Sequence, residues 1–560
     1  MKKFYFLIFL FVVLLISSNL SAQNLQWAWS KSYGSTGNET GQKIAVDSRN
    51  GVYTFGTFNS SSLNMGSFSF TNNGGIDLFL CKHDTLGNLI WAKSFGSTGD
   101  DNAGCITTDR SGNIIIVGSF SNSITIGSYS FTSGGNKNIF VLKLDNAGNI
   151  IWAKHFSSTG ETIATAGLTD YDNNIYIAGN YILPLTFGPV LLTPTNNYNI
   201  FYSKLDDMGN VVWAKTNSSA ANYLIPNMQM LDSRRIILLG RASTGGSTPT
   251  INFNPDVPGS GIIIASPIAF NVKLDTAGNF ISQKVSPSQG SLATHAISKL
   301  GNNHDIITAG SVLLLSNFVL NSLYVVSDSN FVVRSAATTN YTSNSAATAL
   351  AYSNKRAFFA GLSTGYSLYG NGIVINGDPD KGYFYILEKD TSGTSKKIIY
   401  SSAHANDPGG YANSAVDTLT NSLYFTGSVS GNAVILNSDT LNGNGGNDIL
   451  ISKISINGYY FTLRDTATCL GLPVGIGING DPSFGQGPYT YSWTPSTGLS
   501  DPNAARTYAT PSTNTTYTLE ITDALGSSIT RSLTVTVNPV PTAIATVTAS
   551  GPLASAWATV

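Results

Sequence analysis

Charge is scarce in this sequence. Its 560 residues include 30 Lys+Arg and 31 Asp+Glu, 11% of the chain, where an ordinary globular domain carries roughly 25%. The formal net charge of −1 gives no overall field that would draw the chain to nucleic acid or an anionic membrane. Cysteine is scarcer still. Cys81, Cys105 and Cys469 are an odd number and cannot all pair internally, so no disulfide framework is expected. With no CxxC spacing, and with His83, His155, His295, His304 and His404 scattered, a zinc site is not expected either. GxSxG, HExxH and phosphate-cradling motifs are missing, which leaves no catalytic residue to nominate. Helical periodicity is absent. Long apolar runs are limited to Phe4–Ile16, too short for a bilayer that needs about 20 residues.

What is present begins with that run. Lys2 and Lys3 precede it and small polar residues follow through Ala22, the pattern of a secretory signal peptide at 1–22 cleaved before Gln23. The chain is therefore expected outside the cell, secreted or at the surface, with no transmembrane segment after cleavage. Its 27 Phe, 26 Tyr and 7 Trp, with almost no net charge, exclude intrinsic disorder.

The body of the chain repeats. Trp29, Trp91, Trp152 and Trp213 recur about every 61 residues, and Trp91–Gly99 (WAKSFGSTG) is nearly copied at Trp152–Gly160 (WAKHFSSTG) and Trp29–Gly37 (WSKSYGSTG). A turn of the form DxxGN precedes the Trp strand at Asp84, Asp145, Asp206 and Asp275, then weakens at Asp328, Asp390 and Ser455. A glycine closing an apolar strand gives a second count of seven, at Gly56, Gly118, Gly179, Gly240, Gly310, Gly361 and Gly427. Within a unit, short alternating or continuous apolar blocks bounded by Gly, Asn, Asp and Ser predict four strands. A four-stranded sheet repeated seven times predicts a β-propeller. Leu25–Tyr33 has the pattern of a last strand and Asp448–Ile454 that of a third strand, so the two ends of the repeat region are expected to complete one blade.

On these motifs the units resemble the SBBP repeats, seven-bladed β-propeller repeats of secreted bacterial surface proteins. The resemblance covers about 25–455 and is strongest in the first three units. It implies architecture and transfers no catalytic residue. Beyond Gly458, Tyr489–Pro495 (YTYSWTP), Tyr517–Asp523 (YTLEITD) and Ser532–Val537 (SLTVTV) resemble PKD-like or immunoglobulin-like modules, with Trp493 as the expected core anchor. Relatives of this kind commonly end in a type IX secretion sorting domain, and no such ending is legible here. The expected architecture is all-β: signal peptide 1–22, seven-bladed propeller 23–458, small β-sandwich 462–539, and 540–560 as the start of a further module.

Candidate sites follow from this layout. The loops joining one blade to the next carry Glu39, Asp100, Asp101, Glu161 and Asp407, carboxylates able to hold a hard cation such as calcium. The competing reading is that acidic residues after STG satisfy their own loop backbone. Asp-Thr-apolar stretches resemble the O-glycosylated motif of some exported bacterial proteins, and imply Thr85, Thr276, Thr418, Thr440 and Thr466 as acceptors. His155 replaces Ser94 of the preceding copy and is expected on a blade surface. The expected function is non-enzymatic, adhesion-type binding of an extracellular glycan or protein by a monomeric chain, with no cofactor beyond calcium. The alternatives are a glycosidase or lyase acting on extracellular polysaccharide, or a purely structural adhesin segment.

Overall fold

The computed structural model describes residues 25–539, apart from 196–198, 479–488, 523–527 and short connecting stretches between 220 and 462. The expected signal peptide and the tail 540–560 lie outside the described residues. All regular structure among the described residues is β-strand. The chain divides into two compact units, one of them Gln26–Ile454 and the other holding Ser455–Val560.

Among the described residues of the first unit, seven antiparallel sheets follow one another in the chain, each built on four main strands; the second has six strands in all and the sixth has five. Their innermost strands are Glu39–Val46, Asn102–Thr108, Thr162–Thr169, Asn222–Asp232, Ala296–Leu300, Ser345–Ser353 and Gly409–Asp417. Each packs beside the innermost strand of the next sheet, and the last packs beside the first, so the sheets close a propeller ring. The seventh blade takes its outer strand from the start of the chain: Gln26–Tyr33 pairs with Asn447–Ser455. Backbone contacts finish the seam, with Gly446 N–H donating to the Gly37 carbonyl at 3.0 Å and Ser30 N–H to the Asp439 carboxylate at 2.6 Å.

Burial follows strand position. The second strand of a blade is covered on both faces, so Val52–Phe58 is buried throughout, its two threonines included. The outer strand has one solvated face, and Ile90, Ile151 and Val212 stand exposed beside the repeating tryptophans. Those tryptophans face the following blade. The indole N–H groups of Trp29, Trp91, Trp152 and Trp213 donate to the carbonyls of Thr85, Asn146, Asp207 and Thr276, each the second residue of the next DxxGN turn. A lysine directly across the ladder, Lys82 opposite Trp91 and Lys143 opposite Trp152, reaches the same turn at Asn146 and Asp207. Tryptophan and turn recur together because one blade's outer strand is latched to its neighbour's turn.

The repeating glycines lie inside the second strand rather than at its end. Gly56, Gly118, Gly179 and Gly240 each pair across the ladder with an aromatic residue, Phe79, Phe140, Phe201 and Phe270. The ring lies over the bare backbone, which is why a side chain is excluded there. A Cβ at Gly240 would fall 1.9 Å from Phe270 Cζ. Gly240→Ala is expected to cost about 1–3 kcal/mol by overpacking, and Phe270→Leu to recover part of that cost. Urea denaturation of the two single variants and the double variant measures this. Strictly additive costs would mean that the ring does not set the glycine requirement.

Among the described residues, six of the seven blades also hold an element the repeat pattern did not predict. The connection from second to third strand folds as a short hairpin, Ser62–Met65 with Phe68–Thr71 and Leu185–Phe187 with Val190–Leu192. In the second blade it is continuous with its neighbours, as Ile114–Ile126 and Tyr129–Leu144. Leu63, Met65, Ile124, Ile126, Leu185 and Phe187 are fully buried. The hairpin turns place Gly66, Gly127 and Gly188 at φ of 57°, 60° and 53°, where a side chain is strained.

In the second unit a four-stranded sheet holds Thr466–Cys469, Ser528–Asn538, Thr515–Thr522 and Thr490–Thr494, and a two-stranded sheet pairs Val474–Gly477 with Arg506–Ala509. Both sheets contribute to one core around Trp493, Tyr517, Leu519, Ile476 and Ala509. Trp493, 2% exposed, donates its indole N–H to the Ala504 carbonyl at 3.0 Å, so a buried tryptophan anchors this unit.

Candidate functional site

The turn aspartates are consumed locally. Asp84 accepts the Leu86 and Asn88 amides at 2.9 and 2.8 Å and the Asn88 side chain at 2.8 Å, and Asp145, Asp206 and Asp275 receive the same Asn contacts in their own turns. Hydrogen bonds that favour the charged form hold Asp145 and Asp206 below the ordinary carboxylate range, against a burial effect that raises them. These are turn formers, their carboxylates hydrogen-bonded within their own turns.

The blade-to-blade loops divide the predicted acidic set in two. Ladder register places Glu39 opposite Phe58 and Thr162 opposite Tyr181, and the same alignment puts Asp101 in that position in the second blade. Asp100 and Glu161 occupy the preceding position. Glu39 and Asp101 are fully buried. Glu39 accepts the Ser35 amide at 2.9 Å and the Ser60 hydroxyl. Asp101 accepts the Ser97 amide at 2.8 Å, the Ser97 hydroxyl at 2.7 Å and the Ser121 amide at 3.2 Å. Asp100 is exposed and accepts the Ile76 amide at 3.1 Å, while Glu161 is half-buried. Asp407 lies outside the described residues. Among the described residues no three His, Cys, Asp or Glu side chains gather as a metal-ligand group.

Of the proposed acceptor threonines, Thr440 is exposed and Thr85, Thr276 and Thr466 are half-buried; Thr418 lies outside the described residues. His155 is not on a blade surface as expected. It is half-buried, with ring centroids 5.4 Å from both Phe120 and Phe131, because the second-blade hairpin folds over it. The three thiols are free, and burial pushes Cys81 up to about 12 and Cys105 to about 11, which makes both unreactive.

His83 is buried beneath the seam, its Nε2 2.8 Å from the Tyr33 hydroxyl. Burial lowers its pKa from 6.5 to about 4. The folded state thus binds the proton less tightly than the unfolded chain. Its contribution is complete above pH 6.5 and is lost as pH falls toward 4, by up to about 3 kcal/mol. Asp77, Asp101 and Asp448, each raised to about 6 by burial, act in the opposite sense: their contribution is complete below pH 3.8 and is lost as pH rises through 6. The His83 effect is therefore read as a difference. Between pH 7 and 4.5 the wild type is expected to lose more stability than His83→Gln in urea titrations, and equal losses would contradict this assignment.

One exposed constellation escaped the repeat reading. Five of the seven arginines between Gln26 and Ile454 stand at the tips of innermost hairpins: Arg49 in the first blade, Arg110 in the second, Arg234 and Arg235 in the fourth, Arg356 in the sixth. Arg49, Arg110 and Arg234 are exposed. Asp47 and Asp109 beside them are turned inward, accepting amides of their own turns, while Asp232 accepts the Arg234 amide and pairs with the Arg235 guanidinium, which donates from Nε at 2.7 Å. The tips pack side by side: Arg49 lies against Gly112, and the Arg110 guanidinium sits 4.9 Å from the ring centroid of Tyr171, itself 60% exposed. The result is a rim of guanidinium groups and one stacked aromatic ring.

No family model matches this chain. It is similar to an uncharacterized WD repeat-containing protein of Acanthamoeba polyphaga mimivirus, 25% identical over 232 residues, a match covering 35% of this chain and 17% of the viral protein's length. Among solved structures it resembles a protein of unknown function from Dyadobacter fermentans, at 10% identity and TM-score 0.38 over 77% of this chain and 99% of that one. A polysaccharide lyase shares 9% identity at TM-score 0.40, over 74% and 90% of the two chains. The β-propeller domain of the Trilobed protease from Pyrococcus furiosus shares 8% identity at TM-score 0.35, over 70% and 90%. The described residues are themselves all-β and propeller-like.

Proposed function

We propose that this chain is an exported, non-enzymatic surface protein whose propeller, of SBBP type, binds an acidic extracellular polysaccharide, with the C-terminal PKD-like unit as a spacer. The observation that carries the reading is the arginine rim. Guanidinium forks match carboxylate and sulfate groups in a bidentate manner, and Tyr171 offers a ring face on which a sugar can stack. The other ionisable groups described above serve the scaffold: they cap turns, seal loops and latch blades.

The test is a glycan array that includes uronate-bearing and sulfated polysaccharides, probed with the mature chain from Gln23, followed by product analysis on every hit. Binding to acidic glycans that weakens with added salt, and that falls roughly tenfold or more, a loss of about 1.4 kcal/mol, in the triple variant Arg49→Ala, Arg110→Ala, Arg234→Ala, is the expected result. Unchanged binding by the triple variant removes the rim from the reading. Release of unsaturated or reducing ends replaces binding with catalysis.

A further inference from the structure

On the side of the ring where the blade-to-blade loops run, two pairs of buried acids occupy equivalent places. Asp77, at the start of the first blade's third strand, and Asp101 form one; Asp448, at the start of the seventh blade's third strand, and Glu39 form the other. All four side chains are at most 1% exposed. The loop acids are fully engaged by amides and hydroxyls, as described. The strand acids are not. Asp77 accepts the Asn73 amide at 2.7 Å and Asp448 the Asn444 amide at 2.9 Å through one oxygen each, while Oδ1 of both is buried with no hydrogen-bond partner.

Each strand acid lies directly beneath the loop that carries its partner. A Cβ added at Gly96 would stand 2.2 Å from Asp77 Cγ, and one at Gly34 would stand 2.0 Å from Asp448 Oδ1. The two carboxylates of a pair also act on each other: after burial, the Glu39 charge contributes to the raised pKa of Asp448, and the Asp77 charge to that of Asp101.

The third copy provides an internal control. There the equivalent residues are Asn138 and Thr162, both uncharged, and the Ser158 amide donates to Asn138 Oδ1 at 3.1 Å. In the acidic copies the equivalent amides of Ser97 and Ser35 go to the loop acids instead, which is what leaves the strand Oδ1 without a partner. Acid stands at both positions together at two of the seven junctions; the residues equivalent to Asp77 at the other five are Asn138, Asn199, Ile268, Asn321 and Tyr383. Two adjacent buried carboxylates are neutralised either by a proton or by a bound cation, and the cation also gives the unpartnered oxygen a partner.

We propose that each pair, Asp77 with Asp101 and Asp448 with Glu39, binds one divalent cation, calcium by its preference for oxygen-only ligands, at the junctions of the first blade with the second and of the seventh with the first. One such ion neutralises the pair's two charges. The unpartnered Oδ1 atoms are the ligands already in place, and backbone carbonyls and water complete a shell of the flexible kind calcium accepts. Asp77 and Asp448 are the residues that the loop-based expectation of calcium missed. The rim of arginines has no part in this inference.

The test is calorimetric titration of calcium chloride into the chelator-stripped mature chain, with thermal denaturation in parallel. Two ions per chain and a melting temperature raised by several degrees in millimolar calcium are expected. The double variant Asp77→Asn with Asp101→Thr, which installs the third copy's own pair, is expected to bind one ion, and adding Asp448→Asn with Glu39→Thr to abolish binding. Absence of calcium binding by the stripped wild type overturns the proposal whatever the variants do. Unchanged stoichiometry in the quadruple variant overturns it equally.

Discussion

A chain lacking Gln26–Tyr33 is expected to lose its cooperative unfolding transition and to elute as soluble aggregate. The strand supplies the outer quarter of the seventh blade. It carries Trp27 and Trp29, 5% and 6% exposed, and loss of a single buried tryptophan costs about 3–5 kcal/mol, comparable to the whole stability of many domains. Its removal also bares the edge of Asn447–Ser455, buried along almost all its length, and an apolar unpaired edge recruits other chains. Lys453, which donates to the Thr85 carbonyl at 3.0 Å alongside the Trp29 indole, would keep only half of its latch. Size-exclusion chromatography and thermal denaturation decide the matter, with a synthetic peptide of residues 25–34 added in trans as the restoring control. A monomeric truncated chain melting within a few degrees of the parent would show that the ring holds without its seam.

Lys143→Ala is expected to destabilise the propeller by about 3–5 kcal/mol, the cost of breaking a buried ion pair from one side. The Lys143 side chain is 3% exposed and its Nζ lies 2.8 Å from Oδ2 of Asp109, which is fully buried. The same ammonium reaches Asp207 on the third blade. Burial disfavours both charges, and the hydrogen bonds between them outweigh it, holding Asp109 below and Lys143 above their ordinary values. Truncation leaves the Asp109 carboxylate buried, with the Ser111 and Asn113 amides and the Asn113 side chain as remaining donors. Lys143→Met combined with Asp109→Asn removes both charges while preserving volume, and is expected to recover most of the loss. Urea denaturation of the three variants measures the coupling, and a single-variant cost below about 1 kcal/mol, the range of exposed pairs, would refute the assignment.

The ring was legible in the sequence because its landmarks recur at one spacing and each has a single structural meaning. Asp84 with Asn88 makes a turn wherever it stands, and an apolar run such as Ile114–Val117 is a strand covered on both faces. Trp493 was legible because a lone tryptophan between alternating strands needs a core. The second-to-third hairpins were not read, although Gly66, Gly127 and Gly188 recur every 61 residues, because strands of three or four residues carry too little alternation to stand out. The acidic set was gathered by residue type rather than by position: Glu39 and Asp101 stand two residues after the glycine of STG, whereas Asp100 and Glu161 stand one residue after it. Asp77 and Asp448 went unseen for a different reason. Their significance depends on a loop more than 20 residues away, or at the far end of the chain, and only the closed ring brings the two together.

At the four junctions that carry it, the indole-to-turn latch gives a blade a donor side and an acceptor side. A unit of this kind joins head to tail, like subunits in a heterologous ring, and its two sides match those of its own copies. Gene duplication can therefore add such units without inventing a new interface. Only the circumference limits their number, and the final junction must be made between Gln26–Tyr33 and Asn447–Ser455, strands from opposite ends of the repeat region. Until those two strands meet the repeats are an open array, and their meeting makes the ring.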